Sequence, residues 1–216
     1  MLKEIRKKLK STAAFSLSET LMAVLLLSIV FTAVSGGVVV MQRDYDKIVV
    51  RAEQQTSLAT TVSVITADLE SASKITTDGT NVVCFYATRR NQFIRYVQGK
   101  KNEAYNEIVT VNPETATFAD INTLGGSIYV GTTDGTAKLL TKSTPLLSSA
   151  AAEVFHSGNS ANARLKTAVS PITYVADNSG KYVKYFTVTV GVAAKGASQN
   201  EYITINVKPY NHIPLT

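Results

Sequence analysis

The chain has 216 residues, 45% of them apolar, and carries 22 Lys and Arg against 16 Asp and Glu, a formal net charge of +6. That apolar share excludes a natively disordered chain and supplies one domain of ordinary size plus an appendage. The charge does not mark a nucleic-acid surface, because Lys3, Arg6, Lys7, Lys8 and Lys10 stand against Glu4 within residues 1–14, and this local excess of four leaves only +2 for the rest.

After this basic leader comes a run without charge, LMAVLLLSIVFTAVSGGVVVM from Leu21 to Met41. As a helix it would span about 31 Å, the thickness of a bilayer core. Basic residues before an apolar span stay in the cytoplasm, so the expected topology is leader in and body out, a single-pass cytoplasmic membrane protein with the span at about 20–41. Polar residues begin at Gln42, Arg43 and Asp44, yet no proline follows until Pro113. Leu58, Val62, Ile65, Leu69 and Ala72 recur at spacings of four and three, which places them on one stripe of a continuing amphipathic helix. The turn formers Thr76, Thr77, Asp78 and Gly79 predict its end near 73–79, so one helix from about Ser18 to Lys74 would run roughly 85 Å.

Beyond residue 79 the pattern changes to short β-prone runs. NVVCFYAT at 81–88, QFIRYVQ at 92–98, EIVTV at 107–111, SIYVGT at 127–132 and AKLLT at 137–141 read as strands, the last two joined by a turn at Thr133, Asp134 and Gly135. KYVKYFTVTVGVA at 181–193 and EYITINVKP at 201–209 alternate most clearly, with a loop at 195–200 between them. Leu146 to Thr167 lacks periodicity and reads as loop or short helix. The predicted fold class is therefore α+β: a leader at 1–14, a long N-terminal helix at 15–75, and an antiparallel β-rich head at 76–216 packed on the outer half of that helix.

The most specific signal lies where the apolar run begins, at Ala13-Ala14-Phe15-Ser16-Leu17-Ser18-Glu19-Thr20-Leu21. Ser16 and Glu19 alone fit a helix capping box. A short basic leader, a small residue, Phe, a polar residue, Leu, one variable residue and Glu leading into an apolar helix together resemble the prepilin cleavage and methylation motif of the type IV pilin and pseudopilin family. The resemblance implies cleavage between Ala14 and Phe15 by a membrane-embedded prepilin peptidase, methylation of the new terminus, and Glu19 as fifth residue of the mature chain. The family usually has Gly before the cut, where this chain has Ala14. Glu19 has a physical role beside the match, since an acid at a hydrocarbon-spanning helix costs roughly 2.5–3.5 kcal/mol on insertion scales and needs a partner. The Phe15 amine of a neighbouring subunit would supply that partner while apolar helices pack. Where major pilins carry a helix-weakening proline, this chain has Gly36 and Gly37, a candidate site of local melting on assembly. VITADLESASKIT at 64–76 is similar to the helix terminus of minor pilins and minor pseudopilins.

The resemblance implies a structural, minor subunit of a type IV pilus or of a secretion or competence pseudopilus. Its partners would be other pilin subunits through their N-terminal helices, the peptidase, an assembly platform protein and the lipid bilayer, and its destination an extracellular or periplasmic filament. The alternative is a β-domain binding protein or adhesin on the cell surface, exported by a signal peptide cut after Ser35 or held by an uncleaved helix. No enzyme is expected and no cofactor: His156 and His212 lie in no metal-ligand spacing, and no phosphate-binding loop or nucleophile elbow occurs. Asp177-Asn178-Ser179-Gly180 has calcium-type oxygens but reads as a turn. The single cysteine, Cys84, reads as a buried thiol that can form no intrachain disulfide. Arg89-Arg90 and Lys100-Lys101 read as solvated turns, so nucleic acid is not an expected partner.

Overall fold

The computed structural model describes residues 17–98, 111–123, 127–135, 144–147, 163–197 and 199–215. Helix α1 (Leu17–Glu70) is followed by strands β1 (Ala72–Asp78), β2 (Asn81–Ala87) and β3 (Gln92–Gln98), then helix α2 (Phe118–Thr123). Strands β4 (Ile128–Thr133), β5 (Thr144–Pro145), β6 (Leu165–Val169), β7 (Ile172–Ala176), β8 (Val183–Ala194) and β9 (Glu201–Val207) complete the order. The chain divides at Val49/Val50 into two compact units, the first holding the apolar part of α1 and the second everything that follows. This is an α+β chain, a long N-terminal apolar helix with its later turns on an antiparallel sheet.

All described strand pairs are antiparallel, in the order β5-β4-β3-β2-β7-β8-β6, with β1 added to β2 and β9 to β8. Two strands carry three neighbours each. β2 has β1 along one edge, while its other edge is shared by β7 at Asn81 and Val82 and β3 from Phe85 to Ala87. β8 has β9 along one edge and, on the other, β7 up to Thr187 and β6 from Val190 onward. Between β6 and β7, Ser170 bridges the interruption: its N–H donates to Thr189 O and its Oγ accepts from Thr189 N, both at 2.9 Å. Gln98 closes the fork on the far side, donating from Nε2 to Thr167 O at 2.9 Å.

The core lies between one stripe of α1 and one sheet face. Ile65 and Leu69, with Leu58 and Val62 at its margin, meet Phe85, Ile94, Ile128, Val130, Phe186, Val188 and Val190. Each fully buried side chain of this size contributes about 1.5–3 kcal/mol. The predicted apolar stripe is therefore the buried one as far as Leu69, but it is wider than its apolar members. Gln54, Ser57, Thr61 and Asp68 share it and are also buried, and Gln54 Nε2 donates to Val192 O at 3.1 Å.

Three expectations are corrected. The helix ends at Glu70, not near 75, and residues 72–78 form β1. The Asp78–Gly79 cluster is the β1–β2 hairpin turn, with Gly79 at φ 60. Local capping by Ser71, whose N–H reaches Ala67 O and whose Oγ donates to Asp68 O at 2.9 Å, is joined by a distant donor, Tyr210 N to Glu70 O at 2.9 Å. The third concerns Leu165 to Thr167, expected as loop or short helix. They open β6, all five residues of which are buried, so the alternation that reveals a half-buried strand is missing. β7, which had no predicted counterpart, continues the same line. Strands expected at 81–88, 92–98, 127–132, 181–193 and 201–209 are present as β2, β3, β4, β8 and β9. Those at 137–141 and most of 107–111 lie outside the described residues.

Candidate functional site

Every described residue from Leu17 to Ile48 is exposed, including Leu21, Met22, Leu25, Ile29, Phe31, Val34 and Met41. In water this would be untenable for so apolar a surface, which needs a lipid or protein environment. The polar atoms on it are satisfied within the helix. Thr20 Oγ1 donates to Leu17 O at 2.9 Å, Ser28 Oγ to Val24 O at 2.8 Å, and Thr32 Oγ1 to Ser28 O at 2.7 Å. Charge returns at Arg43 and Asp44, and Asp44 pairs with Lys47 at 3.3 Å. Gly36 and Gly37 are helical, and a Cβ on either would meet nothing within 4 Å, so neither is demanded by a contact in this structure. Glu19 sits in the first turn of α1. Ala14 and Phe15 lie outside the described residues, as do His156 and Lys100-Lys101.

The other end of α1 holds a constellation that the pattern of apolar residues does not reveal. The Asp68 side chain has no exposed surface, and its Oδ2 accepts from Arg90 Nε at 2.8 Å, from Arg90 Nη2 at 2.7 Å and from the Tyr96 hydroxyl at 2.9 Å. Arg89 Nη1 stands 3.9 Å from Oδ1. The Asp68 hydrogen bond raises the Arg90 guanidinium further above its ordinary range. Burial first, then the Asp68 charge, push the Tyr96 hydroxyl well above its ordinary 10.0. Arg89 and Arg90 lie in a turn as expected and Arg89 is exposed, but Arg90 turns inward and closes a charged clasp between helix and sheet, engaged rather than free for a phosphate. An acid three residues past Ile65, on a stripe otherwise bound for the core, is the signal that could have found it.

Compared with family models, curated proteins and solved structures, the chain matches none. Its own geometry therefore carries the interpretation. One helix among the described residues, α1, is long and apolar enough to cross a membrane, with a mean hydropathy of 2.5 over its most apolar window. Among the described residues no three His, Cys, Asp or Glu side chains lie together as metal ligands. Asp177 spends both carboxylate oxygens inside its own turn, accepting from Ser179 Oγ at 2.9 and 2.8 Å and from Lys181 N at 3.1 Å, while Gly180 takes φ 70. The Ser179 hydrogen bond is the main reason its carboxyl lies below the usual range. Cys84 is buried and in no disulfide. His212 is exposed, edge-on to Tyr182 at 5.8 Å between ring centres.

Proposed function

We propose that this chain is a structural subunit, of the minor class, of a type IV pilus or a related secretion or competence pseudopilus. The observation that carries the proposal is the apolar segment of α1, exposed on all sides from Leu17 to Ile48, with Glu19 in its first turn, the fifth residue counted from Phe15. Such a helix is stored in the bilayer before assembly and packed against its copies or other pilin subunits afterwards, so one surface serves two environments. Prepilin peptidase removes residues 1–14 in the cytoplasm. The freed Phe15 amine of one subunit then meets Glu19 of the next and sets register, while the second unit stays outside the membrane.

N-terminal sequencing of the mature protein tests the first step. A start at Phe15 supports prepilin processing; a start at Gly36 replaces it with export by an ordinary signal peptide and the surface binding-protein alternative. Glu19→Ala tests the second. The expected variant is inserted, cleaved and folded but absent from sheared filaments, and undiminished incorporation would remove Glu19 from assembly.

A further inference from the structure

The second unit carries a concave site that assembly through α1 leaves unused. It lies where residues 113–118 cross the outer face of β8. Gly191 permits that crossing, since a Cβ on it would stand 2.7 Å from Pro113 Cβ, nearer than such carbons approach. Asn200 holds the crossing chain in place, its Nδ2 donating to Pro113 O at 3.1 Å and to Ala116 O at 2.6 Å. At the far end Thr117 and Asp120 brace one another: Thr117 N and Oγ1 donate to Asp120 Oδ2 at 2.8 and 2.7 Å, and Asp120 N returns a bond to Thr117 Oγ1. Between this segment and the start of β9 is a cavity of about 360 Å³, large enough for one or two sugar rings.

The lining selects a class of ligand. The ring of Tyr202, 49% exposed, forms one wall. Phe118, packed on the small cluster of Val111, Ile121, Ala168 and Ala193, forms another. Glu114, Thr115 and Gln199 supply a carboxylate, a hydroxyl and an amide. No Lys, Arg or His is among the described lining residues, and Lys166, whose Nζ stands 5.7 Å from the centre of the Phe118 ring, is buried behind that wall, so a phosphate, a nucleic acid or a sulfated chain would find no cation on the lining to pair with. A purely apolar ligand would strip water from Glu114, Thr115 and Gln199 and return nothing. A neutral ligand rich in hydroxyls satisfies all of them, and the C–H face of its ring stacks on Tyr202.

The sheet beyond Tyr202 repeats the same chemistry. Tyr202 stands opposite Gly191, and the next rungs on that face are Thr189 with Thr204 and Thr187 with Asn206, their side chains joined at 2.8 Å in each rung. These rungs carry no charge either. We infer that the cavity beside Tyr202 receives a terminal residue of a neutral glycan, whose following residues lie along the Thr and Asn rungs of β8 and β9. The site lies wholly within the second unit, so binding and assembly through α1 can each fail without the other.

The test uses the full chain in phospholipid nanodiscs, free of sugar detergents. Neutral tetrasaccharides of glucose, mannose, galactose and N-acetylglucosamine are titrated by saturation-transfer NMR beside a sulfated tetrasaccharide and a short single-stranded oligonucleotide. At least one neutral tetrasaccharide is expected to bind, with Tyr202→Ala weakening it about tenfold and Glu114→Gln about threefold. Both side chains are exposed, and unchanged circular dichroism and melting confirm that the variants are folded. The inference is overturned if no neutral tetrasaccharide binds at about 10 mM. It is also overturned if neither variant weakens binding, or if only the anionic probes bind.

Discussion

Asp68 is a carboxylate without exposed surface on the face of α1 that meets the sheet, and every group answering its charge comes from the β2–β3 turn or from β3. Removing one partner of such a set costs more than the set itself contributes, because the rest stays buried and unanswered. Asp68→Ala is therefore expected to destabilise the protein by about 3 kcal/mol, the lower end for a buried pair because Arg90 is 30% exposed. Adding Arg90→Ala should cost less than its effect alone, and a double-mutant cycle of chemical melts in micelles reads the difference. Tyr96 adds a pH signature. The folded protein keeps the Tyr96 proton at pH values where the unfolded chain has lost it, because the folded value is raised from the ordinary 10.0. Its stabilising contribution is complete below that ordinary value and falls as pH rises through the raised one. Urea midpoints from about pH 8 to about pH 11 should show this decline in the parent and a shallower one in Tyr96→Phe.

At the scale of elements, α1 holds two glycines inside its exposed apolar part. Two helical glycines cost roughly 1 kcal/mol each relative to alanine, and the open space around both leaves no contact here to justify them. Gly36→Ala with Gly37→Ala is expected to leave the monomer folded and slightly more helical by circular dichroism. If these residues unwind on assembly, filament yield falls; unchanged yield would mean that helix melting is not needed. Helix α1 and strands β2, β3, β4, β8 and β9 were legible because their periodicity is local. The end of α1 was not, since Tyr210 and Arg90 act on it from far along the chain. β6 escaped because burial on both faces erases alternation. The candidate site divides in the same way: Ala14, Phe15 and Glu19 stand together in the sequence, whereas Gly191, Pro113 and Tyr202 come together only through folding.

For the whole molecule, the boundary between the two units at Val49/Val50 separates two solubilities. Exposed apolar residues are concentrated before that boundary, while the core of the second unit is built almost entirely from residues after Val50. In detergent phase separation the full chain is expected in the detergent-rich phase and a fragment starting at Val50 in the aqueous phase, with the melting transition of the second unit retained. A fragment that aggregates would show that residues before Val50 support the fold as well.

The grip on the end of α1 has a consequence in time. Glu70 receives a hydrogen bond from the Tyr210 hydroxyl at 2.9 Å across a separation of 140 residues, and Ala72 O receives one from Asn211 Nδ2 at 3.0 Å across 139. A ribosome adding about 5–20 residues per second needs on the order of ten seconds to travel that far. Throughout that interval the helix is already made while the strands that must close over it are still arriving. A chain threaded through a membrane during synthesis would thus leave its helix end unlatched until the last hairpin has crossed, and a stall late in translocation would strand an open, protease-sensitive sheet.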